Sequence, residues 1–280
     1  MLYLNAIILG IVEGITEFLP ISSTGHLIVF QRMFPISEPG DGFSEVFIVV
    51  IQLPAILAVI GYFWGQLWPF QRPEDGKLAT MIVWPTILLW TKIVVAVLPV
   101  VVLGLAFVDQ IDELLDAPIP VGVTLIIGGF VLLLVDWKRP PVTIEHAAQI
   151  GFGRAFIIGL FQCLALIPGT SRAAATIVGG MVMGTTRSAA AEFSFFLAIP
   201  TMLGATLVSL RGRNLEFTAN EWALMLIGSV VSFLTAYAVV VWLMRYLQHG
   251  SWRPFGYYRI VVGIGVLIYF LAIAPGGAQS

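Results

Sequence analysis

Two stretches of this chain, residues 118–135 and 222–244, run without a single charged residue. Each is close to the ~20 apolar residues that a helix needs to cross a bilayer. Backbone in hydrocarbon must satisfy its own N–H and C=O groups, so such segments fold as helices or as strands of a closed barrel. The runs are continuously apolar and lack the period-two alternation of a barrel strand, which leaves the helix. Composition agrees: 59% of the 280 residues are hydrophobic and 11% charged, against about 25% charged in an ordinary soluble domain. The chain reads as an all-α integral membrane protein.

Six transmembrane helices are expected at about residues 46–70, 80–108, 118–136, 190–210, 222–244 and 258–275. Residues 1–34 and 151–186 are also apolar, but each is split by a Pro-x-Ser/Thr-Ser break flanked by ionisable residues. Such segments read as re-entrant broken-helix hairpins, tolerated only where they are buried in protein. No basic run precedes the first apolar segment and no small-residue cleavage site follows it, so it is expected to belong to the mature fold.

Loop charges orient the helices. Arg72 and Lys77 follow the first span, and Lys138 and Arg139 the third, whereas Asp109, Asp112, Glu113 and Asp116 sit between the second and third. The positive-inside rule places residues 71–79 and 137–146 in the cytoplasm and both termini outside. Arg245 and Arg253 obey this arrangement; Arg211 and Arg213, which fall outside, do not.

A repeat underlies the layout. Gly10, Glu13 and Pro20-Ile-Ser-Ser23 are echoed by Gly159, Gln162 and Pro168-Gly-Thr-Ser171, 148 residues on between the prolines. Phe47 to Pro54 is matched by Phe193 to Pro200, 146 residues on. A single membrane domain, residues 1–280, thus divides into halves of about 1–138 and 150–280, each a hairpin followed by three spans. Three is odd, so the halves are expected as inverted-topology repeats, with the site at their interface near the midplane.

The breaks carry the chemistry. Glu13 and Glu17 are four apart and share a helix face. Pro20 stops that helix, and Ser22 suits the N-cap of the next, which carries Ser23 and His26 on its first turn. Thr170 is the matching cap candidate in the second break, with Ser171 and Arg172 beside it and Thr176 one turn on. Free N–H groups at helix starts favour an anion, above all phosphate, and arginine forks onto phosphate oxygens. Two carboxylates would repel that phosphate unless a divalent cation, magnesium or calcium, stands between them. Ionised residues at the centre of a membrane helix cost roughly 2.5–3.5 kcal/mol each, so Glu13, Glu17 and Arg172 need a purpose or a partner. Glu45 and Glu192, at the starts of equivalent spans, suit helix dipoles and read as structural. Lys92 reads as reaching for headgroups or a cavity, and Trp64, Trp68, Trp84 and Trp252 as interfacial anchors. Cys163 is the sole cysteine, which excludes an internal disulfide, and no basic run suggests nucleic acid.

Taken together, Glu13-Gly-Ile-Thr-Glu17-Phe-Leu-Pro-Ile-Ser-Ser23-Thr-Gly-His26 and Pro168-Gly-Thr-Ser171-Arg172 with Thr176 resemble the two signatures of the undecaprenyl-pyrophosphate phosphatases, also called bacitracin-resistance proteins. Phe47 to Leu53 and Ala191 to Phe195 resemble further family segments. Two departures stand out: Ala173-Ala174 where the family usually has Ser-Gly, and Pro54 where it usually has glycine. The resemblance implies hydrolysis of undecaprenyl pyrophosphate, a polyprenyl lipid, to undecaprenyl phosphate and inorganic phosphate at the bacterial plasma membrane. It recycles the carrier for peptidoglycan synthesis. In the expected roles Ser23 attacks phosphorus, Glu17 or His26 takes its proton, and Glu13 and Glu17 hold the metal. Arg172, Ser171, Thr176, Ser22 and Thr170 hold phosphate. Direct attack by water and a phosphohistidine at His26 stay open, as do a homodimer and product flipping. A lipid-phosphate flippase or secondary transporter using the same midplane site is the rival reading.

Overall fold

The computed structural model of the protein describes residues 1–38, 42–71, 81–107, 118–211, 213 and 215–273. The loop charges Arg72, Lys77, Asp109, Asp112, Glu113 and Asp116 lie outside the described residues. The helices are α1 (Leu2–Thr16), α2 (Ser23–Met33), α3 (Phe43–Tyr62), the single turn α4 (Trp64–Leu67), α5 (Trp84–Ala106) and α6 (Pro118–Trp137). They continue as α7 (Phe152–Gln162), α8 (Arg172–Val182), α9 (Arg187–Leu210), α10 (Ala219–Tyr246) and α11 (Arg253–Ile268). Six of them, α3, α5, α6, α9, α10 and α11, are long and apolar enough to cross a membrane. A two-residue antiparallel ladder, Phe70–Gln71 with Met81–Ile82, closes the connection after α4.

Local chemistry sets the helix ends. The first span stops at Tyr62, well short of the expected residue 70, because Phe63 leaves the helical region (φ −100°, ψ 19°). The apolar run continues past it only because Trp64, Trp68 and Phe70 continue at the bundle's end, all three exposed. The last span begins at Arg253, not residue 258, with Pro254 in its first turn, where its missing N–H costs nothing. Thr186 caps α9 through the amide of Ala189, and Thr218 with Glu221 forms a capping box on α10.

Small residues bring the two halves into contact. A Cβ on Gly10 or Gly14 of α1 would lie 2.7 Å from the Gly228 or Ser232 carbonyl oxygen of α10. In α7, Gly159 lies against Ala96 of α5 so closely that a Cβ there would overlap the Ala96 carbonyl. Each hairpin's first helix therefore packs on the second span of the other half. Close backbone approach of this kind is how helices associate where lipid removes the hydrophobic drive. α6 and α11 meet the same way, through Gly122 and Gly129 against Gly263 and Gly256.

The hairpins enter from opposite ends. Tyr3 donates to Asn220 Oδ1 (2.7 Å) where α10 begins, and Glu45 pairs with Arg213 at that same end. At the other end the amide of Ala147, ahead of α7, donates to Glu192 Oε2 (3.3 Å) near the start of α9. Asp136, wholly buried, anchors this end. It takes Arg187 in a two-pronged pair (2.6 and 3.0 Å), the Trp252 amide (3.4 Å) and, more loosely, Arg253 (3.5 Å). Stranding such a buried charge costs about 3–5 kcal/mol.

Two expectations are corrected here. Lys92 reaches neither headgroups nor a cavity; its Nζ donates to the Ala148 carbonyl (2.8 Å) and ties α5 to the turn before α7. Trp252 is not an interfacial anchor. It is fully buried against Phe255, whereas Trp64, Trp68 and Trp84 are exposed as expected.

Candidate active site

Both breaks turn through the same strained backbone. Ser22 and Ser171 have φ of 72° and 69°, a region that side-chain-bearing residues rarely occupy and that clusters at functional sites. Each is held there as an N-cap: Ser22 Oγ accepts from the Gly25 amide (3.4 Å) and Ser171 Oγ from the Ala174 amide (3.2 Å). The second cap is thus Ser171, not Thr170. The turn before α8 is one residue longer than its counterpart, so alignment on the prolines slips by one. Beyond each cap, the first N–H groups of α2 and α8 lack partners within their helices.

The caps bring distant residues together. Arg172 Nη2 lies 2.9 Å from Glu17 Oε1, a contact between residues 155 apart in sequence. Glu17 Oε2 accepts from Ser23 Oγ at 2.5 Å. One carboxylate therefore joins the hydroxyl of the first break to the guanidinium of the second. Arg172 Nη1 donates to the Ser194 carbonyl (2.9 Å), which fixes the fork, while its buried Nε has no partner among the described residues. Glu13 lies one turn below Glu17, fully buried, and neither of its carboxylate oxygens has a hydrogen-bond partner among the described residues.

Glu17, Ser22, Ser23, Ser171, Arg172 and Gln52 help line a cavity of about 250 Å³, and Glu13 lies behind its wall. A larger hollow, about 790 Å³, opens at the opposite end, where α9 begins. Two of its charged residues are already engaged, Arg187 with Asp136 and Glu192 with the Ala147 amide. The smaller cavity holds the hydroxyl paired with a base and is the candidate active site.

Other expected site residues stand back from that cavity. His26 Nδ1 donates to the Ser22 carbonyl (2.7 Å), which leaves Nε2 to accept from the Tyr258 hydroxyl (2.8 Å). Both ring nitrogens thus support the first break. Thr176 is buried behind Arg172; its hydroxyl donates back to the Arg172 carbonyl (2.9 Å) and lies 2.7 Å from Ser194 Oγ. Thr170 lines an apolar hollow on the far side of the break.

Sequence reasoning passed over three groups. Gln52 and Gln162 both line the cavity; Gln162, the positional echo of Glu13, is fully buried with its Nε2 unpartnered among the described residues. Arg259, also fully buried, donates to the carbonyls of Pro20 (3.1 Å), Gly169 (3.2 Å) and Thr170 (3.0 Å), and to those of Thr124 and Leu125. It clamps both breaks through their backbones. The signal was an arginine inside an apolar span.

The donor set of Glu13 and Glu17 suits a hard divalent cation, since it is all oxygen. No group of three or more histidine, cysteine, aspartate or glutamate residues occurs among the described residues. The protein would thus supply two carboxylates, and water and phosphate the rest. The two unpartnered oxygens of Glu13 fit that use.

Six helices long and apolar enough to cross a membrane, around a partly buried serine and arginine and a buried carboxylate, define a class: multi-pass membrane proteins with a polar site inside the helical bundle. The family model described as "Bacitracin resistance protein BacA" matches residues 6–265. The chain belongs to that family. It is 43% identical to "Undecaprenyl-diphosphatase 1" of Clostridioides difficile (strain 630) over 269 residues, 96% of each chain. It is 44% identical to "Undecaprenyl-diphosphatase" of Lacticaseibacillus paracasei over 272 residues, 95% of this chain and 97% of that one. The Enterococcus faecalis protein of the same name is 43% identical over 267 residues, 95% and 96% of the two chains.

Proposed function

We propose that this protein hydrolyses undecaprenyl pyrophosphate to undecaprenyl phosphate and inorganic phosphate. The observation that carries the reading is the 2.5 Å bond from Ser23 Oγ to Glu17 Oε2, a nucleophile paired with its base. The relatives' names supply the substrate. They favour a hydrolase over a flippase or transporter, for which no separate observation speaks.

In this mechanism Ser23 Oγ attacks the terminal phosphorus and its proton passes to Glu17. The bond from that phosphorus to the bridging oxygen breaks, and undecaprenyl phosphate leaves with the electron pair. Glu17 hands its proton on to the departing phosphate and is a base again. Water then attacks the phosphoserine and gives a proton to Glu17; the phosphorus–Oγ bond breaks, Glu17 returns the proton to Ser23 Oγ, and inorganic phosphate departs. Arg172, through its free Nε, and the first N–H groups of α2 and α8 hold the phosphate oxygens in line. Glu13 and Glu17 would hold a magnesium or calcium ion, which when bound neutralises phosphate charge. Ser22 and Ser171 shape the two turns, and His26 keeps Ser22 in place.

The halves at about 1–138 and 150–280 form inverted repeats of one membrane domain in this reading. Their support is the entry of the hairpins from opposite ends and the matched positive-φ serines. In this reading the site opens to the outer face of the bacterial plasma membrane, and the hydrolysis recycles the lipid carrier for peptidoglycan synthesis and gives bacitracin resistance. A cysteine placed in the 71–79 loop, in a Cys163→Ala background, is expected to resist labelling from outside intact cells. Labelling from outside would reverse the orientation.

The deciding measurement is phosphate release by detergent-purified protein from a long-chain prenyl pyrophosphate, with and without magnesium or calcium. Arg172→Ala is expected to lose at least about 100-fold, the usual effect of removing one preorganised charge-stabilising donor. No release from well-folded protein under any cation would return the transporter reading to first place.

A further inference from the structure

The second break has two sides. Pro168, Gly169 and Ser171 face the polar cavity, while Ile167 and Thr170 line an apolar hollow of about 260 Å³. The hollow is a groove among α6, α7 and α8, with Ala174 and Val178 on its floor and Ile127, Val131, Leu164 and Ile167 at its rim. The floor is buried, but the rim is open: Ile127 is 56% exposed, Leu164 49% and Ile167 43%. Of its two polar residues, Thr124 spends its hydroxyl on the Pro168 carbonyl (2.6 Å), so it presents methyl rather than hydroxyl to an occupant. From Thr124 to Val131 the groove follows α6 for about 10 Å.

We propose that this groove seats the first isoprene units of the substrate, so that the prenyl chain leaves the site between α6 and α8. The inference rests on the hydrolase reading. A pyrophosphate held at Ser171 and Arg172 has its apolar tail attached within a few ångströms of the same break. The tail must pass from a polar cavity to hydrocarbon, and on the far side of the same turn, residues 167–171, lies a groove walled by apolar side chains. Ala174, next to Ser171 in that floor, stands where small size keeps the groove deep. Its amide meanwhile serves the cap. One segment thereby sorts the two ends of an amphiphile, head to one side and tail to the other.

The test compares prenyl pyrophosphates of five and fifteen carbons on the full-length protein. Val131→Trp, at the far end of the groove, is expected to raise KM about tenfold for the fifteen-carbon substrate, the scale on which hydrophobic pockets discriminate. The five-carbon substrate, too short to reach Val131, keeps its kcat/KM within about twofold. Val178→Leu on the facing wall is expected to give a smaller loss with the same chain-length dependence, and it decides the matter where the tryptophan variant fails to fold. An active wild type whose Val178→Leu variant treats both chain lengths alike overturns the groove alone, leaving it to bulk lipid. A folded wild type inactive on both substrates and on the long-chain prenyl pyrophosphate overturns the hydrolase reading and the groove with it.

Discussion

Ser23→Ala is expected to lower phosphate release by at least about 10³-fold while leaving the protein folded. The size follows from removing the nucleophile itself, which in hydrolases built on one costs roughly three to six orders of magnitude. The intact fold follows from the division of labour between neighbours. Ser22 caps α2 through the Gly25 amide, whereas the Ser23 hydroxyl bonds to Glu17 alone among the described residues. The complementary change, Ser22→Ala, removes a cap at a cost of about 1 kcal/mol and should act on stability before it acts on rate. Single-turnover assays with a radiolabelled terminal phosphate would read both the rate and the phosphoserine. A Ser23→Ala protein that hydrolyses at near wild-type rate would show that water attacks directly, with Glu17 as its base.

The second large effect concerns folding. Arg259→Met is expected to abolish accumulation of folded protein, or to lower its thermal midpoint by more than about 10 °C. The fully buried guanidinium serves carbonyls of Pro20, Gly169 and Thr170, which belong to the two breaks and lie outside the regular helices. Each carbonyl left unsatisfied costs roughly 1–3 kcal/mol, so these three together account for about 3–9. That is comparable with the whole ~5–15 kcal/mol stability of a typical fold. Arg259→Lys keeps the charge but replaces a planar fork by a point, and should fall between. An Arg259→Met protein with an unchanged midpoint would mean that other groups hold the breaks.

The spans and both breaks could be read from the sequence because bilayer thickness and the cost of buried charge act on short segments. Glu17 and Arg172 were drawn to one site by that cost alone, and they do meet. What could not be read depends on partners far along the chain. Trp252 was placed at an interface because aromatic residues near helix ends often lie there; its burial is decided by Asp136, 116 residues away. Lys92 found a carbonyl in a turn that gives no pattern of its own. Arg259 went unnoticed because its partners are backbone oxygens, which every residue has. Thr170 was taken for the cap because the prolines align, while the positive-φ serines, the quantities that matter, are one residue further apart.

The exchanged packing of the halves has a consequence for the order in which the protein is made. Helix α1 leaves the ribosome well before α10, so Gly14 waits for Ser232, more than two hundred residues later. At about 5–20 residues per second that interval is roughly 10–40 s. Throughout it a short helix carrying Glu13 and Glu17 has no protein wall to hide in, and it is too short at 15 residues to span the bilayer by itself. The first hairpin therefore has to rest at the membrane surface or in the insertion machinery and enter late, after α10 has been threaded.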